Sequence, residues 1–451
     1  MTQAAPVIGV WGHFADANLG DDACPTALLQ HLRQLIPTAR FVLFCRFPAV
    51  AQATWGLPAY PVRPLSPGAD VPRLPNASPP RAVTRWRRYA RGIPLLRVVV
   101  RTIRVVVAWG RAVPAELRFA WQSYRSLRGV DLLVVTGSNP LFDFFGGFWG
   151  YPFRTWQWAR LARLTGTRVA FVSVGAGPIV SARSGRLLAR VLRRAAYVSF
   201  RDEGSRRLMR EHGFEGPDHV CPDLAHSLPF DVRPGTRSER LRVGINPMIV
   251  HNPEFWPVAS RELHGRYVES LAALASTLIA SGHDVFFYGT QAADQVSAQE
   301  VQLAMRAAAP ALQLPPFVMP ASINQLFELC ASADLLVTTR FHGAIFGIRA
   351  ARPTLAICYQ WKTREVLEVA GQGAHAIDFE HVTPERLRAA FDHLCAERHR
   401  VETDLRRHVN DLRARLDRQY DQVAGLVQRD AHRASFVRYQ SQKPDVAGSL
   451  S

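Results

Sequence analysis

At 451 residues the chain is too long for one average domain, and 48% apolar residues can fill more than one core. Its formal charge of +18 points to an acidic partner: nucleic acid, anionic lipid or a phosphorylated substrate. Six scattered cysteines argue against a zinc cluster or disulfide framework, and no uncharged apolar stretch reaches the about 18 residues of a spanning helix.

The N-terminus, MTQAAPVIGVWG, lacks a basic stretch and a long apolar one, so a cytoplasmic location is expected. PVIGVW (6–11) reads as a short buried strand, followed by a loop with NLGDD (18–22) and a helix. ARFVLFCRF, VDLLVVTGS, TRVAFVSVGAGP and AAYVSFRDEGS follow, each an apolar run ending at Gly, Ser or Asp, most with a helical segment behind it. That alternation predicts βα units on a parallel sheet. PFDVRPGTRSER (229–240), rich in Pro, Gly and charge, marks a boundary, and the pattern restarts at LRVGINPMIV (241–250). GHDVFFYGT, DLLVTT, PTLAICY and HAIDF continue it, with a capping box at Ser322-x-x-Gln325 and a helix opened by Pro384. The expected fold is α/β, with an N-terminal domain over 1–232 and a C-terminal domain over 241–400 facing each other across a cleft. A helix over 401–428 and a flexible tail over 429–451 complete the chain.

Open parallel sheets bind ligands outside the carboxyl ends of their strands, and the polar clusters fall there. In NLGDD, Asn18 and Asp21 are candidates to contact a sugar hydroxyl, although helix capping by Asp21 or Asp22 explains the motif as simply. In SVGAGP (173–178), Gly175 and Gly177 either let a ligand approach the backbone or form a tight turn. Arg201, in SFRDEGS, can grip a carboxylate or phosphate, or pair with Asp202 or Asp223. Arg340 and His342 stand where a strand hands over to a helix N-terminus, which together make an anion site with a titratable member. Phe341 and Gly343 beside them indicate a packed, shaped loop. Lys362 is either a second phosphate contact or a solvated lysine. No metal cluster is visible in the pattern.

NLGDD, SVGAGP, SFRDEGS, CPDLA (221–225), TRFHGAIFG (339–347) and PTLAICY (353–359), with Lys362 after them, resemble the motifs of the polysaccharide pyruvyl transferase family in the family's order. The resemblance implies two Rossmann-like domains similar to the B-type glycosyltransferase fold. It implies transfer of a pyruvyl group from phosphoenolpyruvate to two hydroxyls of a sugar in an exopolysaccharide or other cell-envelope precursor. A cyclic ketal forms and phosphate leaves. Arg340, His342 and an upstream arginine, matched by Arg201, would hold the donor, and no further cofactor is implied. The chain departs from the family at TGSNPLFD (136–143), where Asn and Pro intrude before Asp143, a candidate acceptor contact.

Residues 81–128 look like an insertion, with twelve arginines against one acid, Glu116. Arg97, Arg101, Arg104 and Arg111 share one helical face, and Trp86, Trp109 and Trp121 add interfacial aromatics. A peripheral anchor on an anionic membrane, bringing the enzyme to a lipid-linked acceptor at its inner face, and a surface helix docked on its own domain both fit. FFGGFWGYPF (144–153) either extends the apolar face or shapes the acceptor pocket. The competing function is a nucleotide-sugar-dependent glycosyltransferase with Glu365 or Glu368 as ribose ligand. Nucleic-acid binding has charge alone in its favour.

Overall fold

The computed structural model describes residues 5–64, 113–136, 139–144, 146–232, 239–256 and 258–441. In the N-terminal half, β1 (Val7–Trp11), α1 (Leu19–Leu35), β2 (Arg40–Cys45), α2 (Pro48–Trp55) and β3 (Ala59–Pro61) come first. Helix α3 (113–127), β4 (Leu132–Thr136), α4 (Tyr151–Leu164), β5 (Arg168–Val174), α5 (Ala182–Leu192), β6 (Tyr197–Phe200), α6 (Glu203–Glu211) and β7 (His219–Val220) follow. The strands form one sheet in the order β3-β2-β1-β4-β5-β6-β7, with parallel pairings throughout. Burial on both faces explains why strands such as β4, LLVVT, are apolar without alternation.

The second half repeats the plan with β8 (Arg242–Asn246), α7 (Arg261–Ala280), β9 (Asp284–Tyr288), α8 (Asp294–Ala308), β10 (Phe317–Val318) and α9 (Ile323–Ala331). Then come β11 (Leu335–Thr338), α10 (Phe341–Arg349), β12 (Thr354–Cys358), α11 (Trp361–Val369), β13 (Ala376–Asp378) and α12 (Pro384–Ser441). The sheet order β10-β9-β8-β11-β12-β13 matches that of the first half, so β11 and β12 stand where β4 and β5 stand. Both sheets therefore carry loops of the same kind to one interdomain cleft, as the repeated pattern predicts. Ser322 caps α9 by accepting from the Gln325 N–H at 3.2 Å, as expected.

The sequence places a separate helix at 401–428 and a flexible tail from 429. The structure instead runs a single helix, α12, from Pro384 to Ser441, because nothing in RDAHRASFVRYQS is Gly or Pro to stop it. This helix starts in the C-terminal core with Leu387, Phe391 and Leu394, and crosses back to pack Leu416, Tyr420 and Val423 against the N-terminal one. Gln419 makes the crossing specific. Its carbonyl accepts from Ser199 Oγ at 2.5 Å, and its amide donates to Ser173 Oγ at 2.9 Å. Of the 81–128 insertion, only 113–128 falls within the described residues; Phe119 and Leu127 there are buried, while Trp121 is 61% exposed. The arginine face at 97–111 and Trp86 and Trp109 lie outside them. Among the described residues, no helix is long and apolar enough to cross a membrane.

Tyr420 is buried, stacks 4.3 Å from His31 and shares a 2.8 Å hydrogen bond with Ser227. Removing a buried aromatic side chain leaves a cavity costing about 3 kcal/mol or more. Tyr420→Ala should therefore lower the free energy of unfolding in urea by about that amount.

Candidate active site between the domains

The domains enclose a cavity of about 970 Å³ lined by residues from both sheets. On the N-terminal side, Asn18 caps α1: its Oδ1 accepts from the Gly20 N–H at 3.1 Å and its Nδ2 donates to Asp21 Oδ2 at 2.7 Å. Neither aspartate caps the helix, contrary to the simple reading of NLGDD. Asp22 instead accepts from the Ala15 N–H at 2.7 Å, and burial pushes its pKa up to about 7. Asn18 and Asp21 line the cavity, and the next residue reaches across: the Leu19 N–H donates to the Thr290 carbonyl at 3.0 Å.

On the C-terminal side, Arg340 follows β11. Its Nε donates to Asp294 Oδ1 at 2.8 Å, and Nη2 donates to the same oxygen. With its amide carbonyl turned inward, Gln291 accepts from Nη1 at 3.1 Å. The guanidinium is thus braced from behind while it lines the cavity. His342, two residues on, is buried, and its Nε2 has no hydrogen-bond partner among the described residues. Burial lowers its pKa, against the pull of Asp21 and Asp223 and with the help of Arg201 and Arg340. The ring rests on α1: a Cβ added to Gly20 would lie 2.3 Å from His342 Cγ.

Arg201 takes the acid-paired reading and still faces the cavity. It pairs with Asp202 at 3.3 Å and Asp223 at 3.4 Å, yet it still lines the cavity, with its guanidinium 4.0 Å from the Phe341 ring centroid. Asp202 also caps α6, accepting from the Ser205 N–H at 2.6 Å. Lys362 is buried rather than solvated, and its Nζ donates to the Gly177 carbonyl across the domain boundary at 2.5 Å. Burial, helped by Arg201, holds its pKa well below that of a free lysine.

The three candidate glycines do not line the cavity. A Cβ on Gly175 would lie 2.7 Å from Arg201 Nε, and one on Gly343 would lie 2.1 Å from Thr338 Oγ1. These positions admit neighbouring side chains. Gly177 contributes its carbonyl, which Asn139 also reaches at 2.5 Å. Asp143 turns away: its carboxylate accepts from the Val180 and Ser181 N–H groups at 2.6 and 2.9 Å, which leaves it out of the cavity lining. Glu365, offered above as a ribose ligand, accepts from the Gly204 N–H at 2.9 Å and holds the domains together. Asp223 appears in the sequence only as a partner for Arg201, and Asp294, Asn139 and Cys24 are further residues of the site that the sequence does not point to. CPDLA signals Asp223, but no local pattern marks the other three. The Cys24 thiol donates to Asp223 Oδ1 at 3.1 Å, and these two and His342 bring three donor atoms within 4.8 Å of one another, a set that could hold a metal ion. FFGGFWGYPF sends Phe144, Trp149 and Tyr151 to the cavity wall, which favours the pocket-shaping reading of that stretch.

Two parallel-sheet domains thus meet at a cleft lined by arginines, a histidine and a lysine, and comparison with known proteins identifies the family. The profile of the polysaccharide pyruvyl transferase family matches residues 18–360, and the chain belongs to that family. In structure it is similar to Anabaena HepE in complex with UDP-glucose (TM-score 0.52, 11% identity, 95% of this chain and 99% of that one). A glycosyltransferase from Rickettsia africae gives TM-score 0.52 at 9% identity, covering 95% and 99%. The UDP-GlcNAc 2-epimerase of Neisseria meningitidis bound to UDP-GlcNAc gives 0.50 at 10% identity, covering 89% and 94%. At such identities the likeness defines the fold, two Rossmann-like domains of the B-type glycosyltransferase kind. No curated protein matches the chain in sequence.

His226, buried beside Asp223, has its pKa pushed down to about 4 by burial, and that of His342 is also lowered. A lowered imidazole pKa means that the native state binds fewer protons than the unfolded one, whose histidines titrate near ~6.5. Stability is therefore full above that pH and falls as pH drops from about 6.5 toward 4. For His226 alone the loss between pH 7 and pH 5 should be about 2 kcal/mol in urea unfolding. His226→Gln should flatten the profile, and an unchanged slope would contradict the assignment.

Proposed function

We propose that the protein transfers the pyruvyl group of phosphoenolpyruvate onto two hydroxyls of a saccharide, in a cell-envelope polysaccharide or glycolipid precursor. The observation that carries this reading is the convergence of Arg201, Arg340, His342 and Lys362, drawn from both domains, at one cavity that holds an unpartnered buried imidazole nitrogen. Phosphoenolpyruvate carries a carboxylate and a phosphate, which suit two guanidiniums beside the N-terminus of α10. His342 is biased neutral by burial, and an anion bound beside it would raise its pKa. Donor binding then brings the proton with it. The protonated imidazole delivers it to the methylene carbon, C2 becomes electrophilic, and the first hydroxyl adds while its proton returns to His342. The second hydroxyl displaces phosphate and closes the ketal. Of the two hydroxyl protons, one balances the new methyl group and one leaves with phosphate. No metal enters this scheme.

Removing a general acid–base typically costs about 10²- to 10⁴-fold in turnover. His342→Gln should lose turnover on that scale while the dissociation constant of phosphoenolpyruvate, read by calorimetry, stays within about tenfold. Lost binding with turnover unchanged would assign His342 to the clamp instead.

A further inference from the structure

Two arginines of the cavity remain unexplained by donor binding. Arg46 follows β2 and Arg63 follows β3, on neighbouring strand ends of the N-terminal sheet, and both line the cavity. Neither is neutralised as the other cavity arginines are. Arg154 is held by both oxygens of Glu116, at 2.7 and 2.5 Å, and Arg340 by Asp294. Arg46 has a single 3.4 Å contact with Asp16, which His13 shares at the same distance, and its buried Nε has no partner. Arg63 makes no hydrogen bond or ion pair among the described residues. Desolvation first, and the Arg46 guanidinium second, lower its proton affinity. Two cations that act on each other, with Asp16 as the single carboxylate in contact with Arg46, leave a positive excess that an anion would relieve. Phe142, Trp149 and Tyr151 line the same cavity, offering flat apolar faces of the kind that meet a sugar ring.

We infer that Arg46 and Arg63 form a second anion subsite, separate from the donor cluster, that takes the phosphate or diphosphate ester of the acceptor saccharide. Its assignment to the acceptor rests on the donor reading above. A nucleoside diphosphate sugar and a polyprenyl-diphosphate-linked sugar present the same group, and the aromatic wall beside it receives the saccharide. The reacting hydroxyls then point toward His342 while the ester stays on the β2–β3 side.

The test is thermal unfolding of the full chain at saturating phosphoenolpyruvate, titrated with inorganic pyrophosphate, UDP or farnesyl diphosphate. Wild type is compared with Arg46→Gln, Arg63→Gln and, as a control for net charge, Arg407→Gln on the 76% exposed side chain of α12. Pyrophosphate should add a further rise in melting temperature. Its apparent affinity should fall about tenfold or more in the Arg46 and Arg63 variants and stay unchanged in the Arg407 variant, as expected for lost charge-assisted contacts. The phosphoenolpyruvate midpoint should move less than about twofold in all of them. Tighter binding of UDP or of farnesyl diphosphate, lost in the same two variants, supports the subsite and identifies the ester. The inference is overturned if none of the three anions binds, if they bind the Arg46 and Arg63 variants as they bind wild type, or if the Arg407 variant loses as much. Should phosphoenolpyruvate give no shift while pyrophosphate still depends on Arg46 and Arg63, the donor reading fails and the subsite stands.

Discussion

His342 belongs to the C-terminal domain, yet its ring lies against the first turn of an N-terminal helix, so close that Gly20 has no room for a methyl group. Most of the site follows from that contact. For the ring to reach α1, the loops after β11 and β12 must meet the loops after β1, β5 and β6 across the cleft. Lys362 on the Gly177 carbonyl, Glu365 on the Gly204 N–H and the Leu19 N–H on Thr290 hold them there. Arg349 adds to this from behind, its guanidinium donating to the carbonyls of Leu228 and Phe230 as the chain leaves the N-terminal domain. Neither domain has the complete site alone.

Electrostatics explains why such a gathering of cations is stable before any substrate arrives. Buried charges cost several kcal/mol each unless they are paired. Arg201 has Asp202 and Asp223, and Arg340 has Asp294. Lys362 has a carbonyl, with its charged form disfavoured, and His342 is biased neutral. The Arg201–Arg340 cluster is therefore close to balance at rest, with the charged forms of Lys362 and His342 disfavoured. Bringing a doubly anionic donor to it would favour the charged form of both. Binding and proton uptake are coupled in such an arrangement.

Much of the fold was legible because its signals are local and repeated. Apolar runs ending at small or acidic residues point to the parallel strands, and the restart at LRVGIN points to the second sheet; the strand order they share is seen only in the structure. Arg201, Arg340, His342 and Lys362 were legible for the same reason, since each falls where a strand hands over to a helix. What was not legible depends on residues far apart in the chain. Gly175 and Gly343 look like ligand cradles in one dimension, but in three they make room for Arg201 and Thr338. Asp143 looks like a contact for the acceptor and instead ties down Val180 and Ser181. Asp294 sits at the start of a helix 46 residues before Arg340, and nothing near it announces that it will brace that arginine. The length of α12 is not legible because its last stretch is polar and aperiodic, although it contains no helix breaker.

The central claim is that Arg340 clamps phosphoenolpyruvate beside His342. Its most direct measurement is the stabilisation of the purified protein by that compound, against a panel of nucleotide sugars, in wild type and in Arg340→Ala. Ligand at one hundred times its dissociation constant should stabilise the native state by about 2.7 kcal/mol. The account predicts that phosphoenolpyruvate raises the melting temperature and that the rise disappears in Arg340→Ala. A rise with a nucleotide sugar and none with phosphoenolpyruvate would contradict it, and would assign the same architecture to glycosyl transfer.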